Sequence, residues 1–204
     1  MHHVGNYARG WALLACLLLA GFVAAMAARG AGPDNKIEFD MVPSTAAATC
    51  LSNAEGHVVV EAKHGVENLK LKVEGLPANT GFDFFVIQAA NGPFGLSWYQ
   101  GDLETNHEGK AELKVVGRFN VETFIVAPGI TAAPTPHPSD ASSNPVTAPV
   151  HTYHLGLWFD SPGAATAAGC PGATTPFNGD HTAGVQALST RNFPPLAGPL
   201  SQLG

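Results

Sequence analysis

Charge is what this chain has least of. Only 13% of its 204 residues are Asp, Glu, Lys or Arg, and the ten basic ones are scattered. Nucleic-acid recognition needs a basic stripe, so a net charge of −6 without any Lys/Arg cluster argues against nucleic acid as a partner. Cysteine is scarce too. Of the three, Cys16 sits inside an N-terminal apolar run, which leaves Cys50 and Cys170, and neither belongs to a Cys-x-x-Cys pair. A zinc knuckle and a thioredoxin-type motif are thereby disfavoured. No Gly-x-Ser-x-Gly surrounds a serine, and no phosphate-cradling Gly-rich loop opens a helix.

Metal-ligand spacing is also missing. His151 and His154 lie three apart on an expected strand and so point to opposite faces. The His-x-His strand pair of copper/zinc superoxide dismutases is absent. A cupredoxin-type copper site needs Cys, then His close by, then Met; here His181 is far from Cys170 and no methionine follows. No metal and no cofactor is expected, and no catalytic residue is assigned.

What is present is glycine, proline and short apolar runs. Gly (23) and Pro (16) punctuate a chain that is 45% hydrophobic, as in a loop-rich β protein. Leu69 to Glu74 alternates apolar and charged residues, the signature of a half-buried strand. Further strands are expected at Ile37–Val42, His57–Lys63, Phe82–Ala90, Leu96–Thr105, Lys110–Val116, Val121–Ala127, Thr152–Asp160 and Ala183–Thr190. The runs at Phe82–Ala90 and Val121–Ala127 are apolar on both faces, which predicts central strands covered on their second side. Gly101, inside the Leu96–Thr105 run, marks a bulge or a close backbone approach. Ser161-Pro162 reads as a capped helix start and Gly169 as its stop, so a short helix delivers Cys170.

Residues 1–27 have the layout of a secretory signal peptide, with Ala25-Met26-Ala27 as the small-x-small cleavage site. The apolar run is long enough that an uncleaved membrane anchor is the alternative. Residues 28–36 follow as a linker, and 37–204 as one β domain. The expected location is secreted or extracytoplasmic, with the membrane involved only if the first segment is retained. Two cysteines in an exported domain favour a Cys50–Cys170 disulfide; two buried free thiols are the alternative. Residues 128–150 form a Pro-rich strap returning the chain to the same domain, because the remainder holds too few strands to fold alone. Residues 191–204 read as an irregular, partly mobile tail.

Two chemistries are weighed. Asp83, Asp102, Glu104, Glu122 and Asp160 lie on or beside strands, so an envelope hydrolase using paired carboxylates is one. The other is ligand binding. Alternation puts Trp98, Gln100 and Asp102 on one strand face and His154 with Trp158 on another, which together would make a stacking surface for a glycan or protein. Trp98 and Trp158 are expected near one another. The competing expectation is that the strap covers them as a second small core.

Gly75-Leu76-Pro77-Ala78-Asn79-Thr80, Phe82-Asp83-Phe84-Phe85-Val86-Ile87-Gln88, the run Phe94 to Thr105, and Tyr153-His154-Leu155-Gly156-Leu157-Trp158-Phe159 together carry a resemblance. The chain resembles a family of uncharacterised exported bacterial β-sandwich proteins over about Phe39 to Pro199. That family has no established activity, so the resemblance implies no site residue. The expectation is therefore an all-β, antiparallel immunoglobulin-like β-sandwich with one short helix and a long Pro-rich strap. Its expected role is non-enzymatic binding of an extracellular or envelope partner.

Overall fold

The computed structural model describes residues 36–120, 124–125, 150–170, 172, 175–178, 181–195 and 197–203. The expected signal peptide, most of the expected linker, Glu122 and the expected strap up to residue 149 lie outside the described residues. The strands are β1 (Lys36–Pro43), β2 (Glu55–Lys63), β3 (Val66–Glu74), β4 (Gly81–Ile87), β5 (Ser97–Glu104), β6 (Ala111–Gly117), β7 (Phe124–Ile125) and β8 (Val150–His151). After them come β9 (His154–Phe159), helix α1 (Pro162–Ala167), β10 (Thr175–Asn178), β11 (His181–Ala183), β12 (Gln186–Ser189) and a 3-10 turn at Pro199–Gln202.

Eight strands form one antiparallel sheet in the order β5-β4-β9-β12-β1-β2-β3-β6. β1 joins its halves: Lys36–Met41 pair with β2, while Val42 and Pro43 pair with β12. A strand shared in this way lets the sheet turn a corner and fold over itself. The two edges then meet again. A Cβ placed on Gly101 of β5 would lie 3.6 Å from the Leu113 side chain of β6, although no ladder joins these strands. The expected antiparallel β architecture is therefore present, as a single, nearly closed sheet.

Strand alternation fixes what faces inward. In β1, Ile37, Phe39 and Met41 are buried while Lys36, Glu38 and Asp40 are exposed. β2 and β3 pair without a slip from Glu55↔Glu74 to Lys63↔Val66. Their two-residue turn, His64 (φ 53°) and Gly65 (φ 83°), has the paired positive φ of a type I′ hairpin, whose twist suits the strands. Inside, Met41, Val58, Leu69 and Leu71 of one half meet Phe82, Phe84, Leu155, Leu157 and Phe159 of the other. Each such side chain contributes about 1.5–3 kcal/mol by leaving water.

The outer faces differ. Over β2, β3 and β6 the surface is charged, and Glu112 stands among Lys114 at 2.9 Å, Lys70 at 3.6 Å and Lys72 at 3.8 Å. Over β4 and β9 every residue from Phe82 to Ile87 and from His154 to Phe159 is buried. The second-side cover expected for β4 is therefore real. Phe85 and Ile87 of β4 and Trp158 of β9 form a separate apolar cluster with Ala183 of β11, against which Phe94 of the β4–β5 loop packs.

Ser161 Oγ accepts from the Ala164 N–H, Pro162 starts α1, and Gly169 (φ 75°) follows it, as the sequence predicts. Cys170 pairs with Cys50 at a Cα–Cα distance of 5.5 Å, bridging a separation of 120 residues. This bond points to an extracytoplasmic compartment. Among the described residues no helix is long and apolar enough to cross a membrane. The tail departs from expectation. Irregular it is, but Leu200 and Leu203 are buried in the main core, and Phe193 meets Phe39 edge-on at 5.8 Å.

Candidate functional site

The site is built by a bulge. β5 pairs with β4 as Asp102↔Asp83 and Gly101↔Phe84, then as Tyr99↔Phe85 and Trp98↔Val86. Gln100 is thus the extra residue, set beside the glycine that suggested a bulge. An inserted residue shifts side-chain parity, so Tyr99 and Asp102 share the outer face although they are three apart. Two contacts agree with this register. The Tyr99 ring meets Phe85 edge-on at 5.6 Å, and its hydroxyl donates to Asp102 Oδ1 at 2.7 Å.

Successive rows cross the outer face. One runs Asp102–Asp83–Trp158–Gln186 and the next Tyr99–Phe85–Gly156–Ser189. At the α1 end they border a groove of about 1070 Å³ lined by Asn79, Asp83, Tyr99, Asp102, Glu104, Asp160, Ser161 and Thr182, among others. No Lys, Arg or His is among its lining residues. Asp83 is only 2% exposed, and its strand position lies directly across from Asp102. A Cβ on Gly81 would come within 2.5 Å of Asp160 Oδ2, so glycine there lets that carboxylate lie flat against β4. The phenol of Tyr99 is pushed up to about 12, by burial first, then by its bond to Asp102 and the charges of Asp102 and Asp83. It remains a neutral donor at physiological pH. Four carboxylates and one fixed hydroxyl can bind hydroxyl or amine groups, and the tyrosine ring offers an apolar edge.

The structure divides the residues picked from sequence. Asp102 lines the groove. Trp98 is 54% exposed but shares the inner row with Val86 and Leu155, so the expected same-face pairing with Trp158 is corrected: the bulge reverses its side. Gln100 donates from Nε2 to the Trp98 carbonyl at 3.2 Å. Trp158 is fully buried, edge-on to Phe85 at 5.5 Å and to Phe94 at 4.9 Å. His154 is fully buried as well, with both ring nitrogens in hydrogen bonds. Simple alternation from Asp102 would put Tyr99 on the opposite face; the signal in the sequence that it does not is Gly101. Among the described residues no group of three His, Cys, Asp or Glu side chains is placed to hold a metal. No protein-family model matches this chain, and no curated protein does either.

Proposed function

We propose that this is an exported, non-enzymatic module that binds a glycan in the groove between β4, β5 and the start of α1. Proximity of Tyr99 to Asp102 carries the reading: an aromatic edge beside a carboxylate that is already oriented by a hydroxyl suits a sugar ring and its vicinal hydroxyls. Asp83, Glu104 and Asp160 supply further acceptors on the same face. The disulfide accords with an extracytoplasmic role. In this reading the folded sheet serves as an immunoglobulin-like display scaffold, with the ligand at one end of the β4–β5 edge.

One observation favours a second reading, an envelope hydrolase. Asp83 is buried and directly opposite Asp102. Cross-strand neighbours stand about 4.5–5.5 Å apart at Cβ, close to the roughly 5–5.5 Å between the carboxyls of retaining glycosidases. A panel of immobilised oligosaccharides, assayed for both retention and cleavage, separates the two. Retention without cleavage, weakened by Asp102→Asn, supports the module. Cleavage abolished by Asp83→Asn would replace it with the enzyme, and neither retention nor cleavage would remove both.

A further inference from the structure

His154 opens β9 in the middle of the fold, outside the lining of the Tyr99–Asp102 groove. Nδ1 is 2.9 Å from Thr190 Oγ1 and Nε2 is 3.1 Å from the Pro195 carbonyl. Thr190 Oγ1 also accepts from the Leu155 N–H at 3.1 Å. One assignment satisfies every atom: Nε2–H donates to Pro195, and the Thr190 hydroxyl donates to a bare Nδ1. That is a neutral imidazole. A second ring proton needs the Thr190 hydroxyl to turn away, and the acceptor left to it is the Leu155 carbonyl at 3.5 Å.

No acid stands by to take the charge. The partners of His154 are the Thr190 hydroxyl and backbone groups of Pro195, Pro194 and Thr190. Burial, the largest influence, lowers its titration, the backbone bonds partly oppose this, and no charged side chain contributes. From its own side, Tyr153 stacks on His151 at 5.1 Å. Arg191, next to Thr190, donates from Nε to the Pro43 carbonyl at 2.6 Å, and Asp40 of β1 engages His57 at 2.9 Å. In β4 the residue in register is Ile87, with Ser97 beyond it in β5.

The chain after β12 is laid directly on this ring. A Cβ on Gly198 would come within 2.9 Å of His154 Cγ and 2.1 Å of the Tyr153 carbonyl oxygen. The Leu200 N–H donates to that same carbonyl at 3.2 Å. We propose that His154 is an acid-sensitive latch, whose protonation is coupled to release of the segment Pro194–Leu203 from β9 while the sheet stays folded. An exposed imidazole titrates near 6.5. The buried ring titrates lower, so below pH 6.5 the released form takes up a proton that the latched form refuses. Release therefore gains up to about tenfold per pH unit, until the latched ring itself titrates.

Hydrogen exchange of the exported protein tests this, with the Leu200 amide compared with the Leu71 amide of β3 and both corrected for intrinsic rate. On acidification from pH 7 to 5, Leu200 should lose protection relative to Leu71, and His154→Gln should abolish that slope. Gly198→Ala should raise Leu200 exchange at every pH and keep the slope. Parallel behaviour of the two amides in the wild type, or an unchanged slope in His154→Gln, would overturn the latch. If His154→Gln fails to fold, the wild-type ring titration decides: a midpoint at or above 6.5 in the latched protein would overturn it, and a lower one supports it.

Discussion

Replacing Trp158 by alanine should be among the most damaging single changes in the protein, and replacing Trp98 among the mildest. Trp158 is fully buried, and its ring is held edge-on by Phe85 and Phe94. Truncation removes the transfer free energy of a large aromatic and leaves a cavity among Phe85, Ile87 and Ala183. Such changes cost about 3–5 kcal/mol. In a domain of this size each kcal/mol lowers Tm by about 2–4 °C, so a fall of roughly 6–20 °C is expected. Trp98 is 54% exposed, and its loss should stay within about 0.5 kcal/mol. Paired urea titrations measure both. A cost below about 1 kcal/mol for Trp158→Ala would refute the second apolar cluster as a stabilising unit. It would also restore the idea of an open tryptophan face.

Closing a loop of 120 residues, the Cys50–Cys170 bond should stabilise by up to about 5 kcal/mol in the chain-entropy model. Reduction or a double serine substitution should lower the urea midpoint accordingly, and thiol titration of the unfolded, unreduced protein lacking residues 1–27, and with them Cys16, should find none free. Tyr99, pushed up to about 12, should ionise well above the ordinary phenol value in an ultraviolet titration. Because its folded value is raised, its contribution to stability is complete below pH 10 and disappears as pH climbs through about 12. In Asp102→Asn that midpoint should drop; an unmoved midpoint would show that the hydrogen bond is not formed in solution.

Much of the fold is legible because burial on one side writes itself as alternation. Leu69, Leu71 and Val73 announce β3, and the unbroken run from Phe82 announces a strand covered twice. What covers β4 was not legible: Ala183 comes from a distant part of the chain, Phe94 from the loop that follows the strand, and neither carries a periodic pattern. β10 was missed for a similar reason, being a strand of only four residues. Leu200 and Leu203 sit three apart, a helical spacing, but the single 3-10 turn after Pro199 is too short to show as a periodic pattern, so their burial came as a tertiary fact. The site fell to one inserted residue. Gly101 signalled the bulge, but counting alternate residues through it placed both Tyr99 and Trp98 on the wrong sides. A bulge is local in sequence and decisive for every side chain before it in the strand.

The most direct test of the glycan groove is amide and side-chain shift mapping of the protein titrated with a panel of soluble oligosaccharides. The account predicts saturable shifts at Tyr99, Asp102, Asp160 and Thr182, absent at His57 and Lys70 on the other half of the sheet. Tyr99→Phe combined with Asp102→Asn should weaken the response at least tenfold, about 1.4 kcal/mol, with Tm nearly unchanged. Shifts centred elsewhere, or a response that survives both substitutions intact, would contradict it.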